Sequence, residues 1–222
     1  MKLDDYTADA VCQVLGVGRL DPGPLTTGWA LRMLLKPSFH PEVCVTLNAS
    51  DATRCSAEVV VPAEQVWHAG LIPQIVSRAT CDLGADFAAA FLAQLSSAPI
   101  MIGRWMTIDG MMFQALAIDG MSFDAVLRTP EGPRGIAGAV SEDGEESRWI
   151  RELLTVLHAR IEEAVSIRAL AAAGSYAGLE LTSPESGPAP TRIGVLGSDD
   201  DRDALVRALS AAQDRRRKPE PT

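Results

Sequence analysis

Residues 105–128 read WMTIDGMMFQALAIDGMSFDAVLR, and two Asp-Gly pairs ten residues apart, Asp109-Gly110 and Asp119-Gly120, punctuate the run. Asp-Gly suits a type I′ turn, whose two central residues take positive φ; glycine accepts this without steric cost and aspartate less easily. The stretch between the pairs has the length of one strand. The reading predicts three antiparallel strands, 105–108, 111–118 and 121–128, joined by two tight hairpins. In the last of them Met121, Phe123, Ala125 and Leu127 alternate with Ser122, Asp124, Val126 and Arg128, so one face is apolar and the other mostly wet. Thr129-Pro130-Glu131-Gly132-Pro133 stops that strand, and residues 130–146 read as a mobile acidic loop.

Upstream the same period of two recurs. From Gly28, Trp29, Leu31, Met33 and Leu35 alternate with Ala30, Arg32, Leu34 and Lys36; residues 43–47 and 57–61 make two further strands between turn signals. Connections this short exclude parallel crossovers, so the region is an antiparallel meander. Residues 63–82 fit a short helix or a strand equally well.

Helical periodicity marks four other segments. One lies near 3–15, ended by Gly16 and Gly18, and one near 85–95, closed by Pro99. A long one near 147–173 carries the stripe Ile150, Leu153, Leu154, Leu157, Ile161, Ala164 and Val165; Arg148 can pair with Glu152 one turn on, and Gly174 is its expected terminator. Residues 179–182 and 192–196 read as strands, and Ser198 caps a last helix near 199–209. The expected fold class is α+β: antiparallel β-sheet in two meanders, packed by one long and several short α-helices. Residues 1–212 form one domain, with a possible subdivision near 97–100, and 213–222 form a flexible basic tail. Predicted core anchors are Leu31, Met33, Val45, Val59, Val61, Phe91, Leu92, Phe113, Phe123, Leu153, Leu157 and Ile161.

The chain has 222 residues, 47% of them hydrophobic, and 20 Lys+Arg against 29 Asp+Glu give a net charge of −9. Such a composition excludes global disorder, and such a charge repels nucleic-acid phosphates. Residues 215–218, the one basic run, have no aromatic residues interleaved, so no nucleic acid partner is expected. Met1-Lys2-Leu3-Asp4-Asp5-Tyr6 lacks the basic charge and apolar run of a signal peptide, and no run of 18 apolar residues occurs. With no C-x-x-C among Cys12, Cys44, Cys55 and Cys81, the expectation is buried thiols in a cytoplasmic protein without membrane partners.

Reactive constellations are sparse along the chain. His40, His68 and His158 are too far apart for one element to offer two imidazoles to a metal, so no metal and no cofactor are expected. Gly174-Ser175-Tyr176-Ala177-Gly178 has the wrong spacing for a nucleophile elbow. Cys44 sits in an apolar strand, where burial raises a thiol pKa. His158 with Glu162 could form an acid–base pair but reads better as a helix face residue. Ile193-Gly194-Val195-Leu196-Gly197-Ser198 leads into three aspartates, which suits helix capping and repels phosphate.

Five of the seven methionines fall between Met101 and Met121. Met111 and Met112 adjoin and point to opposite faces, so their strand needs covering on both sides. The profile is that of a non-enzymatic protein-binding module. It fits an acidic bacterial immunity protein that neutralises a basic toxin by direct binding, where negative charge speeds association. The residues expected to meet the partner are Glu142, Asp143, Glu145 and Glu146 of the acidic loop, with Met112 and Trp105. Two alternatives stand beside it: a scaffold or secretion-chaperone domain, and a small-molecule site or enzyme. The latter would have Trp29, Trp67, Trp105 and Trp149 lining a pocket and Asp124, Arg128 or His158 converging on it. A homodimer through a sheet edge or the long helix is a further expectation.

Overall fold

A computed structural model of the chain describes residues 7–51, 54–69, 71–72, 76–102, 105–108, 111–114, 120–142, 144 and 147–183. These all fall within one compact unit, Met1–Pro184. In chain order the elements are α1 (Ala8–Val14), β1 (Trp29–Pro37), β2 (Val43–Asp51), β3 (Arg54–Pro62), α2 (Val66–Ala69), β4 (Val76–Asp82) and α3 (Ala85–Ser97). They continue with β5 (Met101–Ile102), β6 (Trp105–Ile108), β7 (Met111–Gln114), β8 (Met121–Thr129), β9 (Gly132–Val140), α4 (Arg148–Arg160) and α5 (Ala164–Tyr176).

The fold is α+β, and its two runs of antiparallel strands share one sheet, ordered β4-β3-β2-β1-β8-β9-β5. The seam is β1 against β8, in register from Ala30 opposite Arg128 to Pro37 opposite Met121. That pairing joins the two sides of residues 97–100. Six strands run antiparallel, and the two-residue β5 adds in parallel to β9. The period of two read from the sequence becomes two unlike faces. Leu31, Met33, Leu35, Val45, Val59, Val61 and Phe123 point into the main core with Phe91, Leu153, Leu157 and Ile161, beneath α3, α4 and α5. Leu92 is only partly buried there. Leu34, Cys44 and Val60 point the other way, onto α1. The aromatic centre of the main core is Phe91, with ring centroids 6.4 Å from Trp29, 5.1 Å from Phe87 and 6.1 Å from Trp149.

Helix ends follow local chemistry. Thr7 caps α1 through its hydroxyl, and α1 closes with Gly16 N–H on the Gln13 carbonyl and Val17 N–H on that of Cys12. Arg134 on β9 donates to the Leu95, Ser96 and Ala98 carbonyls, placing a cation on the negative end of α3.

Five sequence expectations are corrected. Among the described residues no second hairpin forms, because both edges of β8 are taken, by β1 and by β9. β6 and β7 pair only with each other, as the first hairpin requires; Asp109, Gly110 and Asp119 lie outside the described residues. Residues 132–140 are strand β9 rather than loop, turning from β8 through Pro130-Glu131. Gly132 there has φ of 134°, where an L-residue is strained, so Gly132→Ala should cost about 1–2 kcal/mol in urea unfolding; an unchanged midpoint would contradict the turn.

The single long helix near 147–173 is two, broken at Ile161-Glu162-Glu163. In an unbroken helix Arg168 would fall on the apolar stripe one heptad after Ile161. Instead α5 restarts its phase and buries Ser166, Leu170, Ala173 and Gly174, leaving Val165 exposed. Gly174 is inside α5; the helix ends at Tyr176 and is closed by Gly178, at φ of 71°, with Leu179 N–H on the Gly174 carbonyl. Residues 179–182 form no strand. The expected strand 192–196, helix 199–209 and tail 213–222 lie outside the described residues.

Candidate functional site

The acidic loop that follows β9 is tied down at its base. Arg151, on the first turns of α4, donates through Nη1 to the carbonyls of Ser141, Glu142 and Gly144 at 3.2, 3.2 and 2.9 Å. One cation thereby gathers three carbonyls and fixes the loop's backbone to the helix. The Glu142 side chain is exposed, and its Cα and Cβ lie against Gly178 at the end of α5. Asp143, Glu145 and Glu146 lie outside the described residues. Trp105 and Met112 are placed on β6 and β7, where Trp105 pairs with Gln114 and Met112 with Thr107; their side chains lie outside the description. Phe113 of the expected core lies on the same ribbon.

Of the four tryptophans of the pocket reading, the side chains of Trp67 and Trp105 lie outside the described residues. Trp29 and Trp149 are core residues around Phe91, and Trp149 also meets Phe123 edge-on at 5.6 Å. The polar groups that were to converge are each held elsewhere by a structural bond. Lys36 pairs with Asp124 at 2.6 Å across the β1–β8 seam, and Arg128 pairs with Asp21. His158 Nε2 lies 2.7 Å from the Thr182 carbonyl, not on Glu162. Arg148 and Glu152 do pair, at 3.1 Å.

Two features escaped the sequence. The first brings Cys12 and Cys44 together, 32 residues apart in the chain but side by side between α1 and β2. The Cys44 thiol donates a hydrogen bond to Cys12 and is wholly buried, and both push its pKa well above the ordinary thiol value, while accepting that bond draws Cys12 below it. Burial pushes Cys55 up to about 11 and raises Cys81 as well. Only Cys81 of the four is not fully buried. Alkylation of the native protein at pH 8 should therefore modify Cys81 first, and slowly, with Cys12, Cys44 and Cys55 labelled only on unfolding. Peptide mapping that found Cys44 labelled as fast as Cys81 would contradict this packing.

The second is a concavity of about 450 Å³ at the α4–α5 elbow, lined by Ala79, Thr80, Cys81, Asp82, Arg160, Glu162 and Glu163. Glu163 is the N-cap of α5: its carboxylate accepts from Val165 N and Ser166 N at 2.9 and 2.7 Å and from Ser77 Oγ at 2.7 Å. Burial opposes its ionisation, yet these bonds to the carboxylate prevail and draw its pKa down to about 2. Its oxygens are thus committed to structure. Among the described residues no three His, Cys, Asp or Glu side chains gather as a metal site requires, and no helix is long and apolar enough to cross a membrane. No family model, no curated protein and no solved structure matches the chain.

Proposed function

We propose that this chain is a non-enzymatic protein-binding module that engages a basic protein partner through its acidic loop. Direct neutralisation of a basic toxin is the role that best uses such a surface. The observation that carries the reading is Arg151. By tying the Ser141, Glu142 and Gly144 carbonyls to α4 it fixes the loop's backbone at those positions before a partner arrives, which lowers the ordering cost of association. The net charge of −9 supports it too, since attraction at a distance raises encounter rates with a basic protein.

The test is capture from the native host by tagged full-length chain, followed by binding of the purified captured protein at two salt concentrations. The reading expects a basic protein whose affinity falls at least tenfold when Glu142, Asp143, Glu145 and Glu146 are all changed to alanine, and falls again as salt rises. Equal affinity for the quadruple variant would overturn the loop as the binding surface. Turnover of a substrate, abolished by one polar substitution that leaves folding intact, would overturn the non-enzymatic role.

A further inference from the structure

The two ends of the main sheet are finished differently. One ends in β5, two residues long and so a poor template for further strands; the other ends in β4, seven residues long, without proline and in unbroken register with β3. Among the described residues no strand pairs with the outer edge of β4.

The direction of its backbone groups follows from one bond. Leu83 N–H donates to the Cys55 carbonyl at 2.7 Å, continuing the β3–β4 ladder, in which Ser56 stands opposite Asp82. In an antiparallel pair, positions alternate between those that exchange hydrogen bonds with the neighbour and those whose amides and carbonyls point away. Ser77, Ala79, Cys81 and Leu83 therefore bond to β3, and Arg78, Thr80 and Asp82 present their N–H and C=O groups outward. All three of these residues are exposed. The Asp82 carbonyl shows the direction independently: it is reached from outside the sheet by Arg160 Nη1, over a long 3.4 Å. The elbow concavity of about 450 Å³ lies alongside Ala79–Asp82 and leaves room beside the strand.

We propose that β4 pairs antiparallel with β4 of a second copy of this chain, about a two-fold axis at Thr80, so that the two sheets become continuous. Charge selects the occupant. With Thr80 opposite its own counterpart, each Arg78, whose guanidinium also pairs with Glu58 at 3.0 Å and donates to the Leu15 and Gly16 carbonyls, stands directly opposite the Asp82 of the other copy, on the same face of the joined sheet, and the pair occurs twice by symmetry. Opposite charges facing each other across an antiparallel pair are favourable and like charges are not. The same register sets Ala79 opposite Cys81, two small side chains, on the helix-bearing face. The Asp82 carbonyl exchanges its long bond to Arg160 for the amide of the facing Arg78. This dimer is independent of the acidic-loop reading, because neither Arg151 nor residues 141–146 take part in it.

The test is the mass of the full chain by sedimentation velocity over a hundredfold concentration range, for the natural sequence and three variants. Thr80→Pro removes an amide that points away from β3, so the fold's own ladder stays intact while the new one loses a central bond. Its expected effect is at least a tenfold weaker dimer, with the melting temperature of the dilute monomer preserved. Asp82→Lys sets like charges opposite each other and should weaken the dimer at least as much. Thr80→Val keeps the amide and should remain dimeric. A natural chain that stays monomeric throughout overturns the proposal, as does a folded Thr80→Pro that associates unchanged. Should Thr80→Pro fail to fold, undiminished association of Asp82→Lys overturns it.

Discussion

Replacing Phe91 by alanine should lower the unfolding free energy by about 3–5 kcal/mol. Phe91 is 1% exposed, and its ring touches aromatic partners from three elements: Phe87 on α3, Trp29 on β1 and Trp149 on α4. Truncation removes the transfer energy of a buried ring, leaves a cavity, and forfeits aromatic pairings worth about 0.5–1.5 kcal/mol each beyond their area. The neighbours cannot close the gap easily, because a rigid sheet holds one and separate helices hold the others. Urea titration followed by Trp fluorescence should show a lower midpoint at unchanged slope, since the same surface is exposed on unfolding. A loss below about 1 kcal/mol would show that α3 packs on the sheet by other means.

The second large effect belongs to Glu163, and it depends on pH. Its pKa of about 2 in the fold lies below the ordinary 4.5, so the folded state holds the charged form more tightly than the unfolded chain does. The associated stability is fully present above pH 4.5 and is lost as pH falls from there towards 2. The shift corresponds to about 3 kcal/mol, which solvent screening of a partly exposed carboxylate reduces to about 2. Glu163→Ala should therefore cost about 2 kcal/mol at pH 7, taking with it the cap of α5 and the bond to Ser77 on β4, and the difference from the natural protein should vanish near pH 2. Parallel stability curves for the two proteins between about pH 2.5 and 6 would refute the assignment. Glu163→Gln separates charge from shape: it keeps an acceptor of similar size and should recover part of the loss without restoring the pH dependence.

The strands of the first meander were legible because their signal is local. A sheet face needs apolar residues at every second position, and Leu31, Met33 and Leu35, then Val59 and Val61, supply them. α3 and the closing of α1 at Gly16 were legible for the same kind of reason. The break at Glu163 was not. Glutamate is a poor N-cap by local preference, and the hydroxyl that completes this cap comes from Ser77, 86 residues away. One clue lay in plain view: Arg168 occupies a position that an unbroken apolar stripe reserves for a hydrophobic side chain.

Strand β9 was hidden by its own composition. Gly132, Pro133, Gly135 and Gly138 look like a loop, yet Gly138 stands opposite Phe123, where a residue without a side chain leaves room for the ring. The candidate site divided in the same way. The acidic residues were visible as a run, whereas Arg151, which ties the Ser141, Glu142 and Gly144 carbonyls to α4, looked like any charged residue on a helix.

Alternation, capping and turn chemistry act over a few neighbouring residues, and so the order of letters alone determined the α+β class, the first three strands, α3 and most of the core. Which strands lie side by side was decided only in three dimensions. A strand's two edges can each take one neighbour, and β8 gave its edges to β1 and β9 because that arrangement buries Met121, Phe123, Ala125 and Leu127 under the helices. A hairpin back to β7 would have needed one of those edges. The local preference of Asp-Gly for a tight turn is weaker than the burial of a whole strand face, and where the two compete burial prevails.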